Sequence, residues 1–463
     1  MPPPIATAVF VVGIGGLFLL DRDTRARTSI GLWIPVAWLL IAGSRSLSEW
    51  QTVSWNESSS ASQYLEGNPL DRNVLMALLA LALIVLVQRG PQVGRILRAN
   101  APILLFFLYC GVSIFWSDYP DVAFKRWTKS LSELAMVLVV LTESNQVAAV
   151  KRLLARTGFV LIPVSILLIK YYPDLGRGYR PWVWIPYYTG VTTEKNLLGM
   201  VCLIFGLGFV WRFLETLHSR KDNRRLRRLC VFGALLAMLI WLFWMADSMT
   251  SLSCFLMASG LMAVTSIRAT SRKTWLVHIL VAGILLISFS TLFLDVVSGL
   301  LGTVGRDPTL TGRTEIWHLV LGMTANPVIG TGFESFWLGK RLEKIWSFYW
   351  WHPNEAHDGY LEVYLNLGWI GVALLAVVLV TGYRNVITAL RRDPDTGKIR
   401  LAYFVVAVAY NLTESAIRTM NPVWIFFLLA ITAVPGGWTR AKTKKAAALP
   451  ILSSEEPLCL EEV

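Results

Sequence analysis

Gly312-Arg313-Thr314-Glu315-Ile316-Trp317 opens, and Glu355-Ala356-His357-Asp358-Gly359-Tyr360 closes, the largest polar, aromatic-rich stretch in a chain otherwise made of apolar runs. Asn326-Pro327-Val328-Ile329-Gly330-Thr331-Gly332 lies between them. That contrast decides the fold class, because an apolar run of about 20 residues crosses a bilayer as a helix and this stretch does not. Ile316, Trp317, Val320 and Leu321 repeat at helical spacing, which predicts a short helix capped by Thr311 or Gly312 with Arg313 in its first turn. A cation beside the free N–H groups and the positive dipole end is slightly unfavourable for the helix itself. The pattern therefore points to an anion bound there, most simply a phosphate. His357 stands at the other end of the stretch, where the chain enters an apolar helix with Leu361, Tyr364 and Gly368 on one face. Arg313 and His357 are the candidate catalytic residues.

Outward from this stretch the composition is that of a membrane protein. The 463 residues are 55% hydrophobic and 16% charged, against about 25% charged in soluble domains. Thirteen apolar runs account for this: Ile5–Leu20, Ile30–Ala42, Val74–Val87, Pro102–Trp116, Leu131–Leu141, Phe159–Lys170, Leu197–Phe213, Leu229–Trp244, Ser251–Ile267, Trp275–Phe293, Tyr360–Thr381, Leu401–Leu412 and Val423–Val434. The predicted fold is all-α, a polytopic integral membrane protein of about 12–13 transmembrane helices with one large periplasmic loop. Residues 1–293 form an N-terminal bundle, 294–359 the loop, 360–436 the C-terminal spans and 437–463 a cytoplasmic tail.

The net charge of +13 suggests nucleic acid, but its distribution argues for topology. The segments Asp21–Thr28, Gln88–Asn100, Asn145–Arg156, Arg212–Arg228, Arg268–Lys273, Arg384–Arg400 and the tail from Arg440 hold 28 of the 43 Lys and Arg residues. By the positive-inside rule these face the cytoplasm, the N-terminus lies outside, and no nucleic-acid partner is expected. Cys110, Cys202, Cys230, Cys254 and Cys459 avoid the outer loops, so no disulfide framework is implied. The first run lacks a preceding basic segment and reads as a span, not a cleaved signal.

Several outer segments carry two readings. Asp118 and Asp121 either bind a metal or are solvated or paired with Lys125 and Arg126. Tyr171–Lys195 sets Tyr172, Tyr179, Trp182, Trp184, Tyr187 and Tyr188 among Arg177, Arg180 and Lys195, as a membrane-interface belt or as a sugar-phosphate surface. Lys195 and Asn196 stand at the outer mouth of the span they open. Asp247 reads as part of a tight connection capping the next helix. Phe333–Trp351, with Lys340, Arg341 and Lys344, has the pattern of a helix lying on the bilayer surface. His352, Glu355, His357 and Asp358 crowd together, but match no zinc spacing, so no metal is expected. Glu414 ends a span at the level of the loop.

Taken in order, Glu194-Lys195-Asn196-Leu197-Leu198-Gly199, Asp247-Ser248-Met249-Thr250-Ser251, Gly312–Trp317, Asn326-Pro327 with Gly330-Thr331-Gly332, Ala356–Tyr360 and Leu412-Thr413-Glu414-Ser415 resemble the O-antigen ligase and polymerase superfamily, closest to its exopolysaccharide polymerases. The resemblance covers roughly residues 190 to 420. His357-Asp358 stands where the family often has His-Asn, and Thr250-Ser251 where it often has Ser-Arg, which shifts phosphate binding toward Lys195. The resemblance implies a fold like the multi-span lipid-linked glycosyltransferases, embedded in a bacterial inner membrane. It implies transfer of a glycan from an undecaprenyl-diphosphate donor to an acceptor hydroxyl at the periplasmic face, without cofactor or metal. Further implied partners are a glycan or lipid acceptor, the bilayer, and polysaccharide export and chain-length machinery. Lys195, Asn196, Arg180, Glu414, Trp317 and Tyr360 are the candidate substrate-binding residues, with His357 expected as general base and Arg313 as diphosphate clamp. A lipid-linked glycan transporter is the alternative, and would bury charges or break helices midway through its spans.

Overall fold

The computed structural model describes residues 1–21, 27–51, 65, 67–179, 185–219, 223–267, 273–293, 313–324, 326–349 and 351–439. It is mostly helical; the strands among these residues are Arg177–Tyr179 and Pro186–Tyr188, an antiparallel pair. Each of the thirteen apolar runs falls on a helix. Among the described residues seven helices are long and apolar enough to cross a membrane, or eight when the bent pair Gly90–Ala99 and Ala101–Trp116 counts as one span. Ile30–Ala42, Thr274–Ser290 and Pro422–Ile431 are shorter apolar helices. The run Leu131–Leu141 proves to be the second half of a longer helix, Pro120–Leu141, whose first half carries Asp121, Lys125, Arg126 and Lys129.

The helices are not equivalent. In Gln146–Tyr171 and Lys195–Leu217, 78% of the apolar window is buried within the protein, whereas Pro3–Leu20 reaches only 6%. The first two form the middle of the bundle; the last presents apolar surface outward, as a lipid-facing helix does. Pro394–Tyr410 and Pro422–Ile431 pack on Lys195–Leu217, where Tyr403 donates to the Ile204 carbonyl at 2.9 Å and Phe426 meets Phe205. Gly359–Arg392 packs on Pro394–Tyr410 through Tyr383 and Phe404.

The segments richest in Lys and Arg meet at one end. Arg89 pairs with Glu143 at 2.6 Å and donates to Ser29 Oγ at 2.8 Å. Arg152 donates to Thr28 at 2.7 Å, and Arg212 pairs with Asp21 at 2.8 Å. Arg391 reaches Thr274 at 3.2 Å and Lys398 reaches Ser266 at 3.3 Å. Segments grouped by charge alone are thus neighbours in space.

At the other end one helix is broken. Gly359–Arg392 leaves helical geometry at Gly368, with φ 64° and ψ −166°, a conformation essentially confined to glycine. A break frees peptide groups that a bilayer cannot hydrogen-bond, so protein must take them. The loop 326–332 does so. Thr331 N–H donates to Leu365 O at 3.1 Å and Gly332 N–H to Asn366 O at 2.8 Å, while Trp369 and Ile370 N–H donate to Pro327 O (2.9 Å) and Val328 O (3.2 Å). The approach is so close that a Cβ on Gly368 would lie 2.3 Å from Val328 C and O. The long loop is therefore docked into the bundle.

The rest of the loop carries its own small core. Ile316 and Val320 of the helix Arg313–Gly322 pack with Phe336, Trp337, Leu342, Ile345, Ala356 and Leu365. Leu321, expected on the same apolar face, is 47% exposed, because the face turns toward Ile316 and Val320. The surface-helix pattern of Phe333–Trp351 becomes a helix only over Gly339–Phe348, and its apolar Leu342 and Ile345 are covered by protein, leaving Lys340 and Lys344 outward.

Candidate active site

Three short pieces converge at the docked-loop end: the start of Arg313–Gly322, the turn 352–358, and the turn 411–421. Asn411 clamps the last two together. Its side-chain carbonyl accepts Ala416 N–H (2.8 Å) and Ile417 N–H (3.0 Å), and its backbone carbonyl accepts Gly359 N–H at 2.8 Å. A Cβ on Gly359 would lie 2.0 Å from Asn411 Oδ1, so only glycine fits. Asp358 caps the helix by accepting Tyr360 and Leu361 N–H at 2.8 and 2.9 Å. His357 just before it has φ 53°, a left-handed conformation costing a non-glycine residue about 1–3 kcal/mol.

That turn aims the imidazole between two carboxylates. His357 Nδ1 lies 3.0 Å from Glu355 Oε1 and 3.2 Å from Glu414 Oε2. Each carboxylate is held from its far side by an arginine: Arg418 on Glu355 at 2.6 Å, Arg313 on Glu414 at 3.3 Å. Arg313 also donates to the Thr413 carbonyl. The result is one chain, Arg418–Glu355–His357–Glu414–Arg313. Burial by itself lowers the His357 pKa, but the hydrogen bonds and charges of Glu355 and Glu414 outweigh it and push it up to about 10. Glu355 is raised by burial and then drawn down to about 2 by the His357 hydrogen bond and the Arg418 charge. Both carboxylates thus favour the imidazolium form of the ring, whereas the sequence reading gives His357 as a base.

His357, Glu355, Glu414 and Arg418 line a cavity of about 590 Å³ together with Asn196 and Glu194. The Glu194 carboxylate opens into it without a hydrogen bond among the described residues, while its backbone carbonyl accepts from Thr192 and Leu198. Desolvation by the surrounding protein, then the charge of Glu355, lifts its pKa above the ordinary carboxylate value. A carboxylate so placed is suited to accept a proton.

The other expected residues sit differently. Lys195 is tied to Asp247, 3.2 Å from its carboxylate, and is not part of that lining; Ser248, not Asp247, stands at the N-cap position of the next helix, without a side-chain capping bond. Trp317 donates its indole N–H to the Ala356 carbonyl at 2.8 Å, and Tyr360 its hydroxyl to the Val408 carbonyl at 2.9 Å. Both brace the turn. Arg180, with Trp182 and Trp184, lies outside the described residues. Asp118 pairs with Arg341 at 2.7 Å instead of Lys125 or Arg126.

The crowded His352–Asp358 set does not form one site: His352 stacks on Trp346 at 4.5 Å and Asp358 is the helix cap. Among the described residues the group close enough to hold a metal is Glu355, His357 and Glu414. Its two carboxylates already face Arg418 and Arg313, so a divalent cation would add to a site with no negative charge left over. Glu194, Glu355 and Arg418 are the functional candidates that sequence reasoning passed over. Glu194 was visible in the Glu194–Gly199 piece; Arg418 carried no signal until the turn brought it to Glu355.

A family model described as O-antigen ligase matches residues 193–376. The chain is also 24% identical over 355 residues, 75% of its length and 79% of the relative's, to the exopolysaccharide production protein ExoQ of Rhizobium meliloti (strain 1021). The matched family segment begins at the cavity lining, at Thr193 and Glu194, and runs past the helix break at Gly368. Both comparisons support, as the family this multi-pass membrane protein resembles, the O-antigen ligase-like superfamily near its exopolysaccharide polymerases.

Proposed function

We propose that the protein joins glycans at the large cavity, transferring a chain from a polyprenyl-diphosphate donor to an acceptor hydroxyl, as a polymerase in exopolysaccharide synthesis. In this reading the membrane is the bacterial inner membrane and the cavity end faces the periplasm, opposite the basic end. The single observation that carries it is the chain of alternating charges around His357 on the wall of that cavity.

The chemistry follows from charge. When the bond from the anomeric carbon to the diphosphate oxygen breaks, its electron pair leaves with the diphosphate. Negative charge then grows where fixed cations are most effective, in a site already shielded from bulk water. Arg313, Arg418 and the imidazolium of His357 supply three cations against two carboxylates. The acceptor oxygen bonds to the anomeric carbon and its proton passes to Glu194. The hydrogen bonds and charges of Glu355 and Glu414 raise the His357 pKa, which disfavours the neutral ring that a base requires. No metal is required in this scheme.

The transporter alternative looks for a broken helix, and Gly368 breaks one. Its freed peptide groups, however, are taken by the loop, not left to a passing substrate. The experiment is to supply purified protein in liposomes with a lipid-diphosphate-linked repeat unit. New glycosidic linkages and released lipid diphosphate are expected, with at least about tenfold loss in Arg313→Lys, which keeps charge without the planar fork. Donor crossing the bilayer with no new linkage would select transport.

A further inference from the structure

Two cavities open at this end. Beside the large one lies a smaller cavity of about 300 Å³, lined by Phe106, Arg126, Lys129, Trp337 and Asn366 among others. The two share a wall of Lys129, Asn354, Ser415, Arg418, Thr419 and Met420. Most charges around the smaller cavity are engaged. Glu334 accepts Thr419 N–H at 2.7 Å and its hydroxyl at 3.0 Å. Glu362 accepts the Trp337 indole at 2.8 Å and Ala356 N–H at 2.6 Å. Arg126 donates to the Glu334 carbonyl, and Arg418 is on Glu355.

Lys129 differs. It is half-buried and lines both cavities, and its ammonium makes no hydrogen bond or close ion pair among the described residues, with the Glu334 and Asp71 charges acting on it only at longer range. An ammonium withdrawn from bulk water is costly unless an anion or ordered water meets it, and here the space facing it is open. Aromatic Phe106 and Trp337 give the smaller cavity apolar faces beside the Lys129 ammonium, the mixed lining that a sugar fits, while the Asn366 carboxamide is already held by Phe336 N–H and Glu362.

We infer that the smaller cavity receives the acceptor glycan and that Lys129 binds an anionic oxygen group on it. That group is a sugar carboxylate or the phosphate of a second lipid-linked glycan. The inference rests on the large cavity holding the donor, and it gives a joining enzyme what its chemistry needs, two substrate sites separated by one wall. Lys129 on that wall reads the acceptor's charge while the cluster around His357 holds the donor's.

The test is titration calorimetry on the full-length protein in nanodiscs, with methyl glucuronide and inorganic pyrophosphate as probes. Wild type and the exposed control Lys125→Gln are expected to bind at least one probe. Lys129→Gln should weaken that binding about tenfold, and Lys129→Arg, which restores the charge, should regain it. Loss for the glucuronide alone identifies a sugar acid, loss for pyrophosphate alone a lipid phosphate, and loss for both a site that takes either. Equal binding by wild type and Lys129→Gln, or no binding by wild type, overturns the inference. The pair His357→Ala and His357→Ala with Lys129→Gln separates it from the donor reading. The Lys129-dependent difference should persist there although transfer is lost, and transfer surviving in His357→Ala would remove the donor reading alone.

Discussion

The two ends of the bundle use the same residue types to opposite purpose. At the basic end Glu143 meets Arg89 and Ser29, Asp21 meets Arg212, and Arg400 caps the helix Pro422–Ile431 by donating to Ala430 and Thr432 carbonyls at 2.6 and 3.0 Å. The cavity of about 230 Å³ there is lined by that same, already engaged, Arg400. At the other end the His357 chain borders about 590 Å³ of open space, and the Glu194 carboxylate and Lys129 ammonium line it with no hydrogen bond among the described residues. Closed charge networks hold helices together; networks that border a cavity and leave groups open are where a substrate can complete them.

If that division is right, substitutions at the cavity end should cost rate and those at the basic end should cost stability. The largest effect is expected from His357→Ala, which removes one of three cations facing the leaving group. Transfer should fall about 10²- to 10³-fold with protein yield near normal, measured as initial rate per milligram of purified protein. Next is Gly368→Ala. A Cβ there meets Val328 at 2.3 Å, on top of about 1–3 kcal/mol of backbone strain, so the loop should undock. Faster proteolysis between 326 and 349, together with lost transfer, is the readout, and wild-type protection would show that the break does not hold the loop. Arg89→Ala at the basic end leaves the buried Glu143 carboxylate without its cation and with Ser29 alone, and should lower stability by about 1–3 kcal/mol. Its rate per folded molecule should equal wild type in thermal-shift and activity assays; a rate loss would dissolve the contrast between the ends. Smallest is Trp317→Phe, which leaves the Ala356 carbonyl without its donor. A loss of about 1 kcal/mol, read as about a fivefold slower rate, is expected.

Stability should also respond to pH through the cluster. His357 is raised from 6.5 to about 10, so its stabilisation is complete below 6.5 and disappears as pH climbs to about 10. Glu355 is depressed from 4.5 to about 2, so its stabilisation is complete above 4.5 and disappears as pH falls to about 2. Thermal midpoints are expected to decline on both sides of that window.

Much of this was legible in the residues. Apolar runs located the helices, because nothing but helix length and hydrophobicity is needed to cross a bilayer. Lys and Arg asymmetry grouped the segments of Arg89, Arg152 and Arg212, which the structure places at one end. Arg313 and His357 stood out because they are chemistry-bearing residues in the one polar stretch. What local pattern does not carry is pairing across sequence distance. Glu355 and Arg418 are 63 positions apart, and only the Asn411–Gly359 clamp makes them neighbours. The same limit hid the ring's charge: a His beside one Asp in sequence turned out to be a His between two Glu in space. The pairing of Lys195 with Asp247, 52 positions away, is likewise a contact that local pattern does not carry.

The central claim is that a charged His357, without a metal, drives the transfer. It is tested most directly by the pH dependence of glycan transfer from a lipid-diphosphate donor in the presence of EDTA, for wild-type protein, His357→Ala and Glu194→Gln. The account predicts a wild-type rate indifferent to EDTA that falls as pH rises toward about 10. It predicts an acid limb that disappears in Glu194→Gln, and little rate at any pH in His357→Ala. A rate that collapses in EDTA and returns with a divalent ion, or one that keeps rising through pH 10, would contradict it.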